Sequence, residues 1–164
     1  MTKNFELTLR PNFIYFYLRR YGIILLISMI FLAALIYLHI FKKDIGIAIF
    51  LGGLLLNVIV LAATLGYSKI YCHNTLLSLK NDIIVYESGI ISHNIITVPV
   101  KNVTDFTINR TLLERIFNVA NIKINTAGGM GYEVVGDGFD YTGLVRINNY
   151  LKEFREDAKK TSYK

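Results

Sequence analysis

The chain has 164 residues, 53% of them hydrophobic, and a net charge of +6 from 18 Lys and Arg against 12 Asp and Glu. Two uninterrupted apolar runs take up so much of that length that one small soluble domain is all that remains, which excludes a second. The charge is dispersed as well, with +3 in residues 1–20, +1 between the apolar runs and +2 from Lys69 onward. That distribution excludes the concentrated basic face of a nucleic-acid binder.

The first twenty residues read as a cytoplasmic interfacial segment. Phe13, Tyr15, Phe16, Tyr17 and Tyr21 stand beside Arg19 and Arg20, a composition that places rings at headgroup depth and guanidinium groups on lipid phosphates. Arg19, Arg20, Tyr21 and, after the second run, Lys69 are the expected membrane-interface residues.

The runs Tyr21 to Phe41 and Ile45 to Ser68 are separated by Lys42, Lys43 and Asp44 alone. Each exceeds the roughly 20 residues a helix needs to cross the hydrocarbon core, so residues 21–68 predict a transmembrane hairpin with spans 21–41 and 45–67. The first run is too long for a cleaved signal peptide and is followed at once by a second. Four Lys and Arg before the hairpin and two after it (Lys69, Lys80), against two in the loop, place both termini in the cytoplasm by the positive-inside rule. The expectation is a multi-pass protein of the cell (plasma) membrane. Folding the hairpin about Lys43 sets Asn57 opposite Ser28 and Met29, and an Asn57–Ser28 hydrogen bond across the helices is worth about 0.6 kcal/mol. Gly52 and Gly53 are expected to let the backbones approach. A translocation role for Asn57 is set aside, because two helices enclose no pore and a lone amide is no proton relay. His39 reads as a residue reaching interfacial water.

From Lys69 the pattern changes to short β-branched segments punctuated by Asn, Asp, Gly and Pro, the signature of antiparallel strands. Six or seven strands are predicted: Ile70 to Lys80, Ile83 to Glu87, Ile90 to Val98, Val103 to Asn109, Ala120 to Thr126 and Tyr132 to Val135 are the candidates. Asn81-Asp82 and Ser88-Gly89 form the first turns. Thr111 to Phe117 reads as a helical turn. After the cap residue Asp140, Leu144, Ile147, Leu151 and Phe154 recur at helical spacing to about Lys160, an amphipathic helix that should close the domain.

Four stretches carry a resemblance. They are Asp82-Ile83-Ile84-Val85-Tyr86-Glu87-Ser88-Gly89-Ile90, Val98-Pro99-Val100-Lys101-Asn102-Val103-Thr104-Asp105-Phe106, and Leu112-Leu113-Glu114-Arg115-Ile116-Phe117-Asn118-Val119 followed by Thr126-Ala127-Gly128. With Arg10-Pro11-Asn12 ahead of the first span, the chain resembles the membrane-anchored bacterial-type pleckstrin-homology (PH) domain proteins, the YdbS-like family. Asn118 stands where such sequences commonly have Gly. The resemblance implies an α+β membrane protein in which the hairpin precedes a PH-like domain, residues 69–164, built as a partly open antiparallel β-barrel capped by one C-terminal helix. Pro99, Leu113, Glu114, Arg115, Thr126 and Gly128 are its motif residues, in structural roles; Glu114 and Arg115 read as a local ion pair. It does not imply phosphoinositide recognition, since the turn Lys80-Asn81-Asp82 lacks clustered basic residues.

No catalytic or metal-binding set stands out, and no cofactor is expected. Cys72 is the one cysteine, so an intrachain disulfide is excluded, and beside His73 on a strand it would point to the opposite face. His73 and His93 lack further ligands at convergent spacing. Gly128-Gly129-Met130-Gly131 lacks the Lys-Ser or Lys-Thr of a P-loop, and Glu133, Asp137 and Asp140 serve equally as solvated side chain, turn former and cap. The sequons at Asn102 and Asn109 matter only in the inverted topology. The reading is a non-enzymatic integral membrane protein presenting a PH-like domain to another membrane protein or to copies of itself, with membrane stress tolerance as the family hint. The alternative is lipid-headgroup or small-ligand binding, requiring Lys69, Lys80 and Lys101 to converge; the partners expected are the membrane and a protein, without nucleic acid.

Overall fold

The computed structural model describes residues 5–42, 47–128 and 131–162, with backbone alone at 39, 41–42, 47–49, 159 and 161–162. The loop residues Lys43 and Asp44, the side chain of His39, and Gly129 and Met130 lie outside the described residues. The chain divides into two compact units, Tyr17–Lys69 and the pair of segments Met1–Phe16 and Ile70–Lys164.

Two helices make the first unit. Helix α1 spans Phe13–Lys42 and α2 spans Ile47–Asn74. Both contain a stretch long and apolar enough to cross a membrane, Phe13–Leu38 and Phe50–Asn74, and neither stretch is buried. Exposed side chains such as Ile23, Leu26, Leu55 and Ile59 give both helices the outward apolar surface of membrane-associated segments.

The second unit is mainly β. Strand β1 (Leu7–Leu9) precedes the helices, and β2 (Leu76–Lys80), β3 (Ile83–Ser88) and β4 (Asn94–Pro99) follow them in one antiparallel sheet ordered β1-β2-β3-β4. A short 3₁₀ turn, Val100–Asn102, leads to β5 (Val103–Asn109), α3 (Leu112–Ile116), β6 (Val119–Thr126) and β7 (Tyr132–Asp140), whose strands form a second sheet ordered β5-β6-β7. Helix α4 (Tyr141–Ser162) closes the chain. Inward residues of both sheets and of α4 share one core, in which Leu77, Ile84, Ile122, Phe139, Leu144 and Ile147 are fully buried. The sheets are not laddered to each other, which is the partly open barrel in its observed form.

Local chemistry explains the joints. Asn81 and Asp82 both adopt positive φ, 50° and 60°, as a two-residue hairpin turn requires. The Tyr150 hydroxyl on α4 donates to Asp82 at that turn, and Phe5 stacks on the Tyr150 ring at 4.9 Å. Arg155 donates to the Val103 and Thr104 carbonyls at 2.7 and 3.0 Å, at the bulge where the β5 register shifts. Asp140 caps α4 by accepting the Gly143 N–H at 2.7 Å. Leu144, Ile147 and Leu151 are buried and Phe154 partly so, the stripe the sequence predicts.

Four expectations are corrected. Residues 5–16 are not a separate interfacial segment; they supply β1 and a bridge from Pro11 to Phe139 to the β-rich unit. Tyr15 and Phe16 are therefore buried with that unit. Ile70–Asn74 continues α2, so the strand expected from Ile70 begins at Leu76. Strand β7 runs on to Asp140 because Gly136 and Gly138 sit inside the sheet and do not end it.

Candidate interaction surface

The joint between the N-terminal segment and the β-rich unit is a buried polar cluster. Asn12 caps the start of α1, its Oδ1 accepting the Tyr15 N–H at 3.1 Å, and its own N–H donates to the Gly138 carbonyl at 2.8 Å. This directs the Tyr15 ring inward, and its hydroxyl donates to Glu114 Oε1 at 2.7 Å. Glu114, fully buried, also accepts the Asn121 amide at 2.7 Å and the Thr111 N–H. Asn121 Oδ1 in turn accepts the Gly138 N–H at 3.1 Å. Burial alone would push the Glu114 carboxyl up, but hydrogen bonds from Thr111, Tyr15 and Asn121 outweigh it and hold the carboxyl below its usual range. Gly138 is required here. Its φ is +76°, and an added Cβ would lie 2.8 Å from Tyr15 Cδ1.

Glu114 thus works inward, whereas an ion pair with Arg115 was expected; the Arg115 side chain is exposed. Arg110 braces the same connection, its guanidinium 3.9 Å from the Tyr141 ring centroid and donating to the Val119 carbonyl at 3.2 Å. Asn118, where the resemblance leads one to expect glycine, has φ 51°, a conformation Asn tolerates better than most residues.

Of the other motif residues, Pro99 ends β4, paired with Ile83. Leu113 is exposed, and Thr126 donates its hydroxyl to Glu133. Gly128 follows β6 with φ +135°.

The second feature is an open edge. Strand β4 ends its sheet, with β3 on one side and no described strand on the other. Ile95 on it is 58% exposed, and Ile91 in the preceding turn is fully exposed. An edge of this kind presents unpaired backbone groups with apolar side chains beside them.

In the hairpin, Ser28 Oγ donates to Asn57 Oδ1 and Asn57 Nδ2 donates to the Ser28 carbonyl, both at 3.1 Å. Gly53 is the close-approach residue, since a Cβ there would meet Leu35 Cδ1 at 2.8 Å. Gly52 faces open space and is not part of the pairing; neighbours on a helix point about 100° apart, so only one of the two can face the partner. Tyr21 lies tilted against Tyr17 and edge-on to Tyr67, while Arg19, Arg20 and Lys69 are exposed.

Cys72 is buried and His73 exposed on the last turn of α2, so the pair is separated on a helix where a strand was expected. Among the described residues no group of three or more His, Cys, Asp or Glu is placed to hold a metal ion. Lys80, one of the three lysines of the headgroup reading, lies 3.0 Å from Glu6. The residues the sequence did not single out are Tyr15 as a partner of Glu114, and Asn121.

No curated protein matches the chain, and no solved structure does. The family model of the bacterial PH domain matches residues 16–153, which includes all but the first turn of α1, the whole of α2, and β2 through most of α4. The chain therefore belongs to the bacterial PH domain family.

Proposed function

We propose that this protein is a non-enzymatic membrane adaptor. Its hairpin anchors it in the cell membrane, both termini are cytoplasmic, and the PH domain recruits another membrane protein or a second copy of itself by adding a strand to the β4 edge. The observation that carries this reading is that edge, with Ile95 and Ile91 exposed beside it. Strand addition draws affinity from main-chain hydrogen bonds and specificity from alternate side chains. A protein confined to a bilayer meets its neighbours at high effective concentration, so a short edge suffices.

Topology supports the reading. Because β1 before the hairpin and β2 after it pair in one sheet, Leu9 with Leu77, an even number of crossings is the arrangement compatible with the fold. Lys and Arg counts favour the cytoplasmic side. Polar residues of the domain are engaged in structural tasks, Glu114 with Tyr15, Asp140 as a cap and Asp82 with Tyr150, which supports a binding role over an enzymatic one. A headgroup-binding role is weaker with Lys80 held by Glu6. The resemblance to the YdbS-like proteins adds membrane stress tolerance as the setting.

The test is a photo-crosslinking amino acid at Ile95 of the full-length protein in native membranes. One defined adduct or a self-dimer, lost when Thr97 is replaced by Pro, is the expected result. Absence of any protein adduct at Ile95 overturns the β4 edge as the recruiting surface.

A further inference from the structure

Helix α3 exposes an apolar face that the β-rich unit does not cover. Leu112 is 78% exposed, Leu113 56% and Ile116 76%, although Glu114 between them is fully buried. Five-residue helices with three large apolar side chains in solvent are poor structures in water. The position of α3 says which solvent they meet. Tyr15, on the first turn of α1, bonds Glu114 of α3 at 2.7 Å, and its ring lies 6.1 Å from that of Phe117. That first turn opens the apolar stretch Phe13–Leu38, long enough to span a membrane, and its own outward residues Phe13 and Ile14 are exposed as well.

We propose that α3 is a membrane-dipping element. Leu112, Leu113 and Ile116 rest in the headgroup-to-acyl boundary of the bilayer that holds the hairpin, continuing the lipid-facing surface that begins at Phe13 and Ile14. Arg115, exposed on the same short helix, supplies the cation that meets lipid phosphates above that boundary. The occupant is thus a lipid surface recognised by apolar contact and one positive charge, independent of headgroup identity and of the protein-recruiting edge. The Tyr15–Glu114 bond holds α3 beside the first turn of α1, where the apolar stretch begins.

The experiment uses the unmodified full-length chain in vesicles of phosphatidylcholine and phosphatidylglycerol, doped with a phospholipid bearing a diazirine near the top of its acyl chain. Photo-adducts are mapped by mass spectrometry. The expected result is labelling of the Leu112–Ile116 segment together with Phe13 and Ile14. Replacing Leu113 and Ile116 by Glu, exposed positions where the fold does not depend on the side chain, should lower α3 labelling several-fold and leave labelling of the first turn of α1 unchanged. Adducts confined to the two helices of the hairpin, with none on α3, overturn the proposal. So does α3 labelling that the double variant leaves intact, since lipid contact would then not run through the apolar face.

Discussion

In the hairpin, apolar side chains point outward along both helices, and the polar contacts between the helices include the Ser28–Asn57 pair and a long contact, 3.5 Å, from Tyr17 to Thr64. In the β-rich unit the arrangement is reversed: Phe139, Leu77 and Ile122 are enclosed, and polar side chains such as Glu114 and Asn121 link segments distant in sequence. The same chemistry is sorted by two solvents. For a hairpin in lipid, as proposed, packing and interhelical hydrogen bonds hold the helices together because burial from water offers no drive between them. Where water surrounds it, the core sets stability and an enclosed carboxylate must be fully bonded. Exposed apolar groups within the water-facing unit, on α3 and at the β4 edge, are informative for that reason.

The contrast is broken most strongly by Phe139→Ala. Cavity formation at this fully buried position should cost about 3–5 kcal/mol, and hydrogen exchange on the full-length protein in vesicles should show the β-strands losing protection while hairpin amides keep theirs. Loss of protection in both units together would mean that the two solvents do not partition stability. Next comes Glu114→Ala, which leaves the Tyr15 hydroxyl and Asn121 amide without their acceptor at a cost of about 3 kcal/mol. Its conservative counterpart, Glu114→Gln, sharpens the point through pH. The folded carboxyl titrates below its unfolded value, so the stability it contributes is complete above about pH 4.3 and is lost as pH falls through the lower folded value. Thermal melts of Glu114→Gln should therefore show a flatter loss of stability under acid than the wild-type protein. Gly138→Ala should be milder, about 1–2 kcal/mol for forcing a left-handed residue, read as faster exchange in residues 5–16, since the new Cβ displaces Tyr15. Asn57→Leu should change stability least, by about 0.6 kcal/mol, visible as a small fall in hairpin resistance to detergent denaturation with β-strand exchange untouched.

Much of this was legible where the sequence carries a strong period or a committed turn. Strand β5 runs from Val103 to Asn109, the bounds its sequence predicts. The Asn81-Asp82 turn and the Asp140 cap are stated by residues whose short polar side chains suit those backbone conformations. Strand β1 was missed although Phe5, Leu7 and Leu9 alternate with Glu6 and Thr8, because three residues next to an aromatic run read more readily as a membrane flank. Ile70, Tyr71 and Cys72 have strand-like propensity, yet α2 continues through them; propensity yields to a helix already propagating. The Tyr15–Glu114–Asn121 cluster was not legible, because its members stand far apart in the chain and no spacing rule joins them. Glu114 drew notice only through the motif it belongs to, and with a different partner in view.

The pairing of Leu9 with Leu77 bears on how the molecule is made. Strand β1 has no hydrogen-bonding mate until both apolar helices have been synthesised, and the bridge from Pro11 just after it waits longer still, for Phe139. Closing so long a loop in a free chain carries a substantial entropic penalty. On the proposed topology, a hairpin seated in the bilayer returns the chain to the side it left and removes most of that search, so that membrane insertion would assist closure of the sheet. The segment before the hairpin is a held thread, sewn in only when β7 arrives.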